Sequence, residues 1–301
     1  MEPNLSKNLI IAFFFFRFFS DLKVMYFDEY VELISTSIFT FQRKKPRLGP
    51  LTALRLFAAE FLRSSGGRGI DKLPSAVQAA LEVRCHGDVA MVCRILDGVG
   101  ALRRNSTVLE LGAGRGETTS ELATCGAFTR VLAVEPEPEN FRALVRKLAD
   151  NNLDGVVDKV PCAAGMIDGM INFHVNRTDS LKSSVRQKHA SDMPLRTTVN
   201  TAQTILDDAR VPTNQLGLVW IDIEGYETMA CLGLLQVMRQ SIPIYVVMSP
   251  NPAQPGQTAS FLRFLATHYH RCVVFDDESA RITTIMDIPT NRVGQRVLIV
   301  D

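Results

Sequence analysis

Residues Thr107–Glu135 read TVLELGAGRGETTSELATCGAFTRVLAVE, and this stretch decides the fold. Val108–Leu111 is a short apolar run of the kind that forms a buried strand. It enters Gly112-Ala113-Gly114-Arg115-Gly116 directly. A helix-like segment follows (Glu117–Thr124), and a second apolar run, Val131–Val134, stops at Glu135. Strand, glycine turn, helix, strand and acid is the layout of a nucleotide-type pocket at the carboxyl edge of a parallel sheet. Glycine lets backbone approach a ligand closely, and an acid ending the second strand can accept both hydroxyls of a ribose.

The glycine spacing discriminates between ligands. A dinucleotide turn is GxGxxG, with the pyrophosphate on the helix N-terminus. This chain has GxGxG, and Glu117 takes the place of the last glycine, where its carboxylate is expected to face and repel a pyrophosphate. Glu110, two residues before Gly112, adds a second acid. Tight strand–helix packing alone can produce GxGxG, so the acids carry the inference: they suit a cationic ligand without phosphate. The run ExGxGxG resembles motif I of the class I methyltransferases. That resemblance implies S-adenosylmethionine, which carries a sulfonium and an ammonium, with Glu135 on its ribose.

Composition bounds the rest. The chain has 301 residues, 46% of them apolar and 22% charged, enough for one sizeable core plus an appendage. A net charge of +1 makes no electrostatic case for nucleic acid. The six cysteines are spread out without a CxxC pair or a Cys/His cluster, which suggests neither a zinc site nor a disulfide framework and points to a reducing, cytoplasmic setting. Leu9–Phe19, LIIAFFFFRFF, is shorter than the roughly 20 apolar residues a membrane span needs. It lacks the flanks of a signal peptide. Residues 1–50 are expected to be an extension packed on the domain, with Met25 as an alternative start; membrane contact by the apolar segment is the lesser reading.

A basic, proline-punctuated joint (Gln42–Pro50) precedes a helical cap over residues 51–104, with helices expected at Leu51–Arg63, Ser75–Val83 and Asp88–Leu96. The domain proper spans 105–301. Seven apolar runs alternate with helical segments: Val108–Leu111, Val131–Glu135, Val156–Pro161, Leu218–Asp222, Ile244–Met248, Cys272–Phe275 and Val297–Val300. This alternation predicts an α/β fold with a parallel sheet covered on both faces. Helices are expected at Glu117–Thr124, Pro138–Asn151, Met229–Arg239 and Thr258–His268. Nothing long and helical separates the last two runs, so the seventh strand is expected at the sheet edge as an antiparallel hairpin partner. A seven-stranded Rossmann-like sheet with its last strand reversed, behind an N-terminal helical extension, is the class I methyltransferase architecture.

The second informative site is Val219-Trp220-Ile221-Asp222-Ile223-Glu224-Gly225-Tyr226-Glu227. Strand carboxyl ends face the ligand crevice, so Asp222 belongs there, with Glu224 and Glu227 close by. Three carboxylates invite a general base, a hydroxyl anchor or an oxygen-rich divalent-metal site. Alternatively Glu227 caps the following helix and Glu224 is solvated. Together with TAQTILDDARVP (Thr201–Pro212) and AVEPEPENFRALVRKLADNN (Ala133–Asn152), this run resembles the FkbM family of S-adenosylmethionine-dependent methyltransferases. The similarity spans about Thr107–Pro250. It implies an O-methyltransferase acting on a hydroxyl of a small molecule or glycan. Glu110, Gly112, Gly114, Gly116, Glu135, Pro136, Ala163 and Asp222 would then surround the cofactor, and Asp222 and Glu224 would stand at the acceptor junction. A divalent metal stays open.

Two departures stand out. Family members often carry lysine before the Ile-Asp pair, where this chain has Trp220, and an acid after the next strand, where it has Met248-Ser249-Pro250. They keep a second reading open, a non-catalytic scaffold or membrane-associated subunit of the same fold. Cys162-Ala163-Ala164 offers small residues where an adenine ring would need room. Ile171–Asn200 reads as two strands flanking a loop over the acceptor, and His174 in the first is a reserve base.

Overall fold

A computed structural model describes residues 88–300 except 186, 188, 250–254 and 277–279. The expectations for the extension 1–50, for Met25 and for the two earlier cap helices lie outside the described residues. The third cap helix is present as α1 (Asp88–Gly98).

From there the order is β1 (Ser106–Leu111), α2 (Glu117–Thr124), β2 (Phe128–Val134), α3 (Pro138–Asp150), β3 (Val157–Val160), β4 (Ala163–Ala164), β5 (Gly169–Val175), β6 (Met193–Asn200) and α4 (Ala202–Asp208). The chain continues through β7 (Leu216–Ile221), α5 (Glu227–Leu232), α6 (Leu235–Arg239), β8 (Ile244–Met248), α7 (Pro255–Leu265), β9 (Arg271–Phe275), β10 (Ala280–Thr284) and β11 (Gln295–Ile299).

Eight strands form the main sheet in the order β10-β9-β11-β8-β7-β1-β2-β3. Neighbours from β8 through β7, β1 and β2 to β3 pair in parallel. β11 runs antiparallel to both β8 and β9. The last strand is reversed as expected, but it lies between β8 and β9 rather than at the edge. The edge belongs to β10, an eighth strand paired antiparallel with β9. A helical period predicted one element over Met229–Arg239; the chain instead forms α5 and α6, broken around Gly233. A separate three-stranded sheet, β4-β6-β5, carries the segment read as two strands and a loop.

β1 and β7 are buried along their whole length, which is why β7 reads as an unbroken apolar run and β1 is apolar on both faces apart from Ser106, Thr107 and Glu110. Alternation still sorts their side chains. Leu109, Leu111, Val219, Ile221, Val246 and Val274 face one layer with α4–α7. Val108, Leu218, Trp220, Tyr245 and Val273 face the other with α1–α3. Trp220 is 3% exposed and stacks on Tyr245 with ring centroids 3.9 Å apart, so it is core and not an acceptor platform. Among the described residues no helix is long and apolar enough to cross a membrane.

Candidate active site

The carboxyl ends of β1, β2 and β7 lie side by side, and their connecting turns bring the two informative stretches together. Gly112 makes the closest approach. Its φ is +91, and a Cβ there would overlap the carbonyl oxygen of Asp222. The glycine is thus required on two grounds, backbone conformation and the neighbouring strand end. Gly116 has a different reason: a Cβ would come within 2.6 Å of Leu144, so this glycine lets α2 settle against α3. Over Gly114 sits Leu181, from a short 3-10 turn (Ser180–Lys182). Arg115 donates to the Ser180 hydroxyl at 2.9 Å, and Asn140 exchanges hydrogen bonds with the same residue. The β5–β6 connection is therefore tied down across the glycine turn.

Glu135 is 5% exposed and grips the turn. One carboxylate oxygen accepts from Gly114 N and the other from Glu137 N, both at 2.8 Å. Burial outweighs these bonds and pushes its pKa up to about 7. Glu137 caps α3 by accepting from Asn140 N at 2.6 Å. Glu110 is fully buried, with one oxygen accepting from Thr119 Oγ1 at 2.7 Å. Its other oxygen has no partner among the described residues. Burial pushes its pKa up to about 8, and the charges of Asp222 and Glu135 add to the effect. A buried, half-satisfied carboxyl is costly, and a cation beside it would repay that cost. Glu117 does not face the pocket as expected. It lies on the outer side, paired with Lys147 at 2.6 Å.

Asp222 follows β7, and its backbone N–H donates to the Leu111 carbonyl at 2.9 Å. It is exposed, yet its carboxyl lies in a recess whose walls raise its pKa, as does the charge of Asp88. The carboxylate accepts no hydrogen bond among the described residues. Asp88 itself is held by Tyr245 Oη and Arg296, each at 2.7 Å. The three-acid cluster does not form a metal site. Glu227 is 6% exposed and turns its carboxylate back onto Gly225 N in the preceding turn, rather than capping the helix it opens. Glu224 presents its carbonyl to Ser184 Oγ at 2.6 Å. Among the described residues no group of three His, Cys, Asp or Glu converges as a metal would require.

The reserve base lies nearby without joining the strand ends. His174 bridges to Ser184 through backbone, Ser184 contacts Glu224, and Nδ1 of His174 has no partner among the described residues. Ala163 is buried and pairs with Val199 in the small sheet. Pro136 instead lines a groove of about 290 Å³ with Glu135, Phe141, Pro161, Leu195 and Arg196. Sequence reasoning missed Thr119, Asn140, Ser180 and Leu181. Thr119 had a legible signal, since it stands two residues into α2 beside the glycine turn; the others depend on long-range packing.

The geometry fits a cationic nucleoside: a buried, unpartnered carboxyl oxygen at Glu110 behind the turn, a ribose-type acid at Glu135 and glycines that admit backbone-close contact. Solved structures of like fold include a Methyltransferase FkbM from Methylobacillus flagellatus KT, at 17% identity and TM-score 0.43, covering 75% of this chain and 58% of that one. The chain thus spans less than two thirds of that relative's length. An rRNA methylase from Streptococcus thermophilus matches at 9% identity and TM-score 0.42, over 73% of this chain and 98% of that one. A precorrin 8W decarboxylase from Methanobacterium thermoautotrophicum matches at 14% identity and TM-score 0.38, over 73% and 92%. No curated protein matches. The Methyltransferase FkbM domain matches residues 110–272, more than half of the sequence. The chain belongs to the FkbM methyltransferase family, a group of S-adenosylmethionine-dependent methyltransferases.

Proposed function

We propose that this protein transfers a methyl group to a hydroxyl oxygen of a small molecule or glycan. The observation that carries the reading is Asp222, a carboxylate free of hydrogen bonds, open to solvent and fixed by backbone contact against the glycine turn. S-adenosylmethionine supplies an electrophilic methyl when bound. The chain's own residues then bind, orient and deprotonate. Glu135 accepts the ribose hydroxyls on the lone pairs its two amide contacts leave free. Glu110, buried behind the glycine turn, supplies an acid on the ammonium side, and Pro136 and Ala163 border the base. Asp222 accepts the proton of the acceptor hydroxyl, a step worth about 10²–10⁴-fold. Its raised pKa makes it a stronger base than an ordinary surface aspartate. Glu224 holds the acceptor side of the turn, and His174 is the substitute base if the acceptor enters from the small sheet.

Radiolabelled methyl donor and a panel of sugars, polyols and phenols test the proposal. Label that stays with the acceptor through mild alkali marks an ether and supports it. Alkali-labile label marks a carboxyl ester and points to a different acceptor group. Binding of S-adenosylhomocysteine with no transfer to any hydroxyl compound favours the scaffold reading.

A further inference from the structure

The carboxyl edge of the sheet carries a second charged pair that the methyl-transfer reading leaves unused. Asp88, the first residue of α1, accepts from Arg296 Nη1 through one carboxylate oxygen and from Tyr245 Oη through the other, each at 2.7 Å. Tyr245 is held in turn by the core, 1% exposed and stacked on Trp220. Strand register sets this pair beside Asp222. Trp220 lies opposite Tyr245 and Ile221 opposite Val246, so Asp222 leaves β7 level with Val247 of β8. Val247 pairs with Arg296 of β11. Asp222, Val247 and Arg296 thus form one row across three strands, on the face that Trp220, Tyr245 and Leu298 share. Neighbouring strands lie about 4.8 Å apart, which leaves roughly 10 Å between the backbones of Asp222 and Arg296, a span matched to one small hydroxylated ring. Burial first, and then the charge of Asp88, raise the pKa of Asp222, in keeping with that row. The side chains of Arg296 and Asp88 remain 29% and 32% exposed, so both can be reached from the crevice. A pair this open contributes little to stability. It does set a donor beside an acceptor, the complement of a hydroxyl, which is both at once.

We propose that Asp88 and Arg296 are acceptor-binding residues that hold a second hydroxyl of the substrate while the reacting hydroxyl lies on Asp222. The second hydroxyl donates to an Asp88 oxygen and accepts from Arg296, and half-buried Val247 forms the apolar floor between the two ends. The acceptor class is then a ring bearing two hydroxyls, a sugar or cyclic polyol, rather than a lone alcohol or a phenol. Two fixed points also hold the reacting oxygen in one orientation, the alignment on which in-line transfer depends. The inference rests on the reading of Asp222 as the acceptor-side acid.

The full chain and its variants Asp88→Asn, Arg296→Ala and Arg296→Lys test this with cyclohexanol, trans-cyclohexane-1,2-diol and methyl α-D-glucopyranoside as probes. Calorimetry in the presence of S-adenosylhomocysteine reads binding, and labelled methyl donor reads transfer. The diol or the glucoside should bind the unaltered protein roughly tenfold or more tightly than cyclohexanol. Each variant should erase that preference, raising KM for the preferred probe roughly tenfold while kcat changes by less than about threefold. Asp88→Asn keeps an acceptor for Tyr245 and Arg296→Lys keeps the charge, so unchanged urea midpoints and S-adenosylhomocysteine affinity in these two report an intact fold. A pair that only fastened α1 to the sheet would, when altered, weaken all three probes alike. That result, equal binding of cyclohexanol and the diol by the unaltered protein, or binding of none of the probes, would overturn the inference. Polyol binding that depends on Arg296 but leads to no transfer would uphold the subsite and end the methyl-transfer reading instead.

Discussion

The two halves of the crevice are built in opposite ways. Around β1 and β2 nearly every polar group has a partner: Glu135 holds two amides, Glu137 holds a third, and Thr119 holds one oxygen of Glu110. At the end of β7 the carboxylate of Asp222 is open and free. A preorganised donor half suits a ligand that never varies, since order established in the fold is not taken from binding energy. An open acceptor half leaves room for acceptors of more than one shape. The difference explains why the cofactor is legible here and the acceptor is not.

Substitutions can break this contrast. The largest expected effect is at Asp222: Asp222→Asn should lower methyl transfer about 10²–10⁴-fold while S-adenosylhomocysteine affinity changes by less than about threefold. A large affinity loss in that variant would move Asp222 into the donor half. Gly112→Ala strikes both halves, because the new methyl overlaps the Asp222 carbonyl at a positive φ. It should cost about 3 kcal/mol in urea unfolding and remove cofactor binding with it; a cost below about 1 kcal/mol would mean the strand ends separate easily. Glu135→Ala should weaken S-adenosylhomocysteine roughly tenfold or more in calorimetry. Unchanged affinity there would end the ribose assignment.

The smallest effect concerns pH and sharpens the picture of the donor half. Glu110 and Glu135 have folded pKa values near 8 and 7, above their ordinary value of 4.5. The stability tied to their neutral forms is complete below about pH 4.5 and is lost as pH rises through 7 and 8. The ligand-free protein should therefore be less stable at pH 9 than at pH 5. Glu110→Gln should recover on the order of 1 kcal/mol at pH 9 and nothing at pH 5, by urea midpoints. An equal gain at both values would mean that Glu110 is not the titrating group.

What was legible followed from local pattern. Val108–Leu111, Glu110 apart, and Leu218–Ile221 are apolar because both sheet faces are covered, and the glycines after Leu111 announce a turn with no room for side chains. Asp222 and Glu135 were visible because strand ends define the crevice. The insertion of β11 was not, since the same apolar run pairs equally well at an edge or between two strands. Glu117 was misplaced because the partner that draws it outward, Lys147, comes from the next helix. The metal alternative arose from counting acids, while Glu227 was already committed to the backbone of Gly225.

The place of β11 has a consequence for how the molecule is made. β8 and β9 have no contact as sheet neighbours until residues 295–299 enter between them. On the ribosome, the glycine turn and its parallel partners can assemble early, whereas the β9–β10 ribbon must wait for a strand synthesised after it. Until then β8 and β9 present open edges to the cell, the state in which a nascent sheet is most exposed to mispairing. Chaperone demand should fall on this late interval, and a stop codon just before residue 295 should leave a chain that makes its donor pocket yet aggregates.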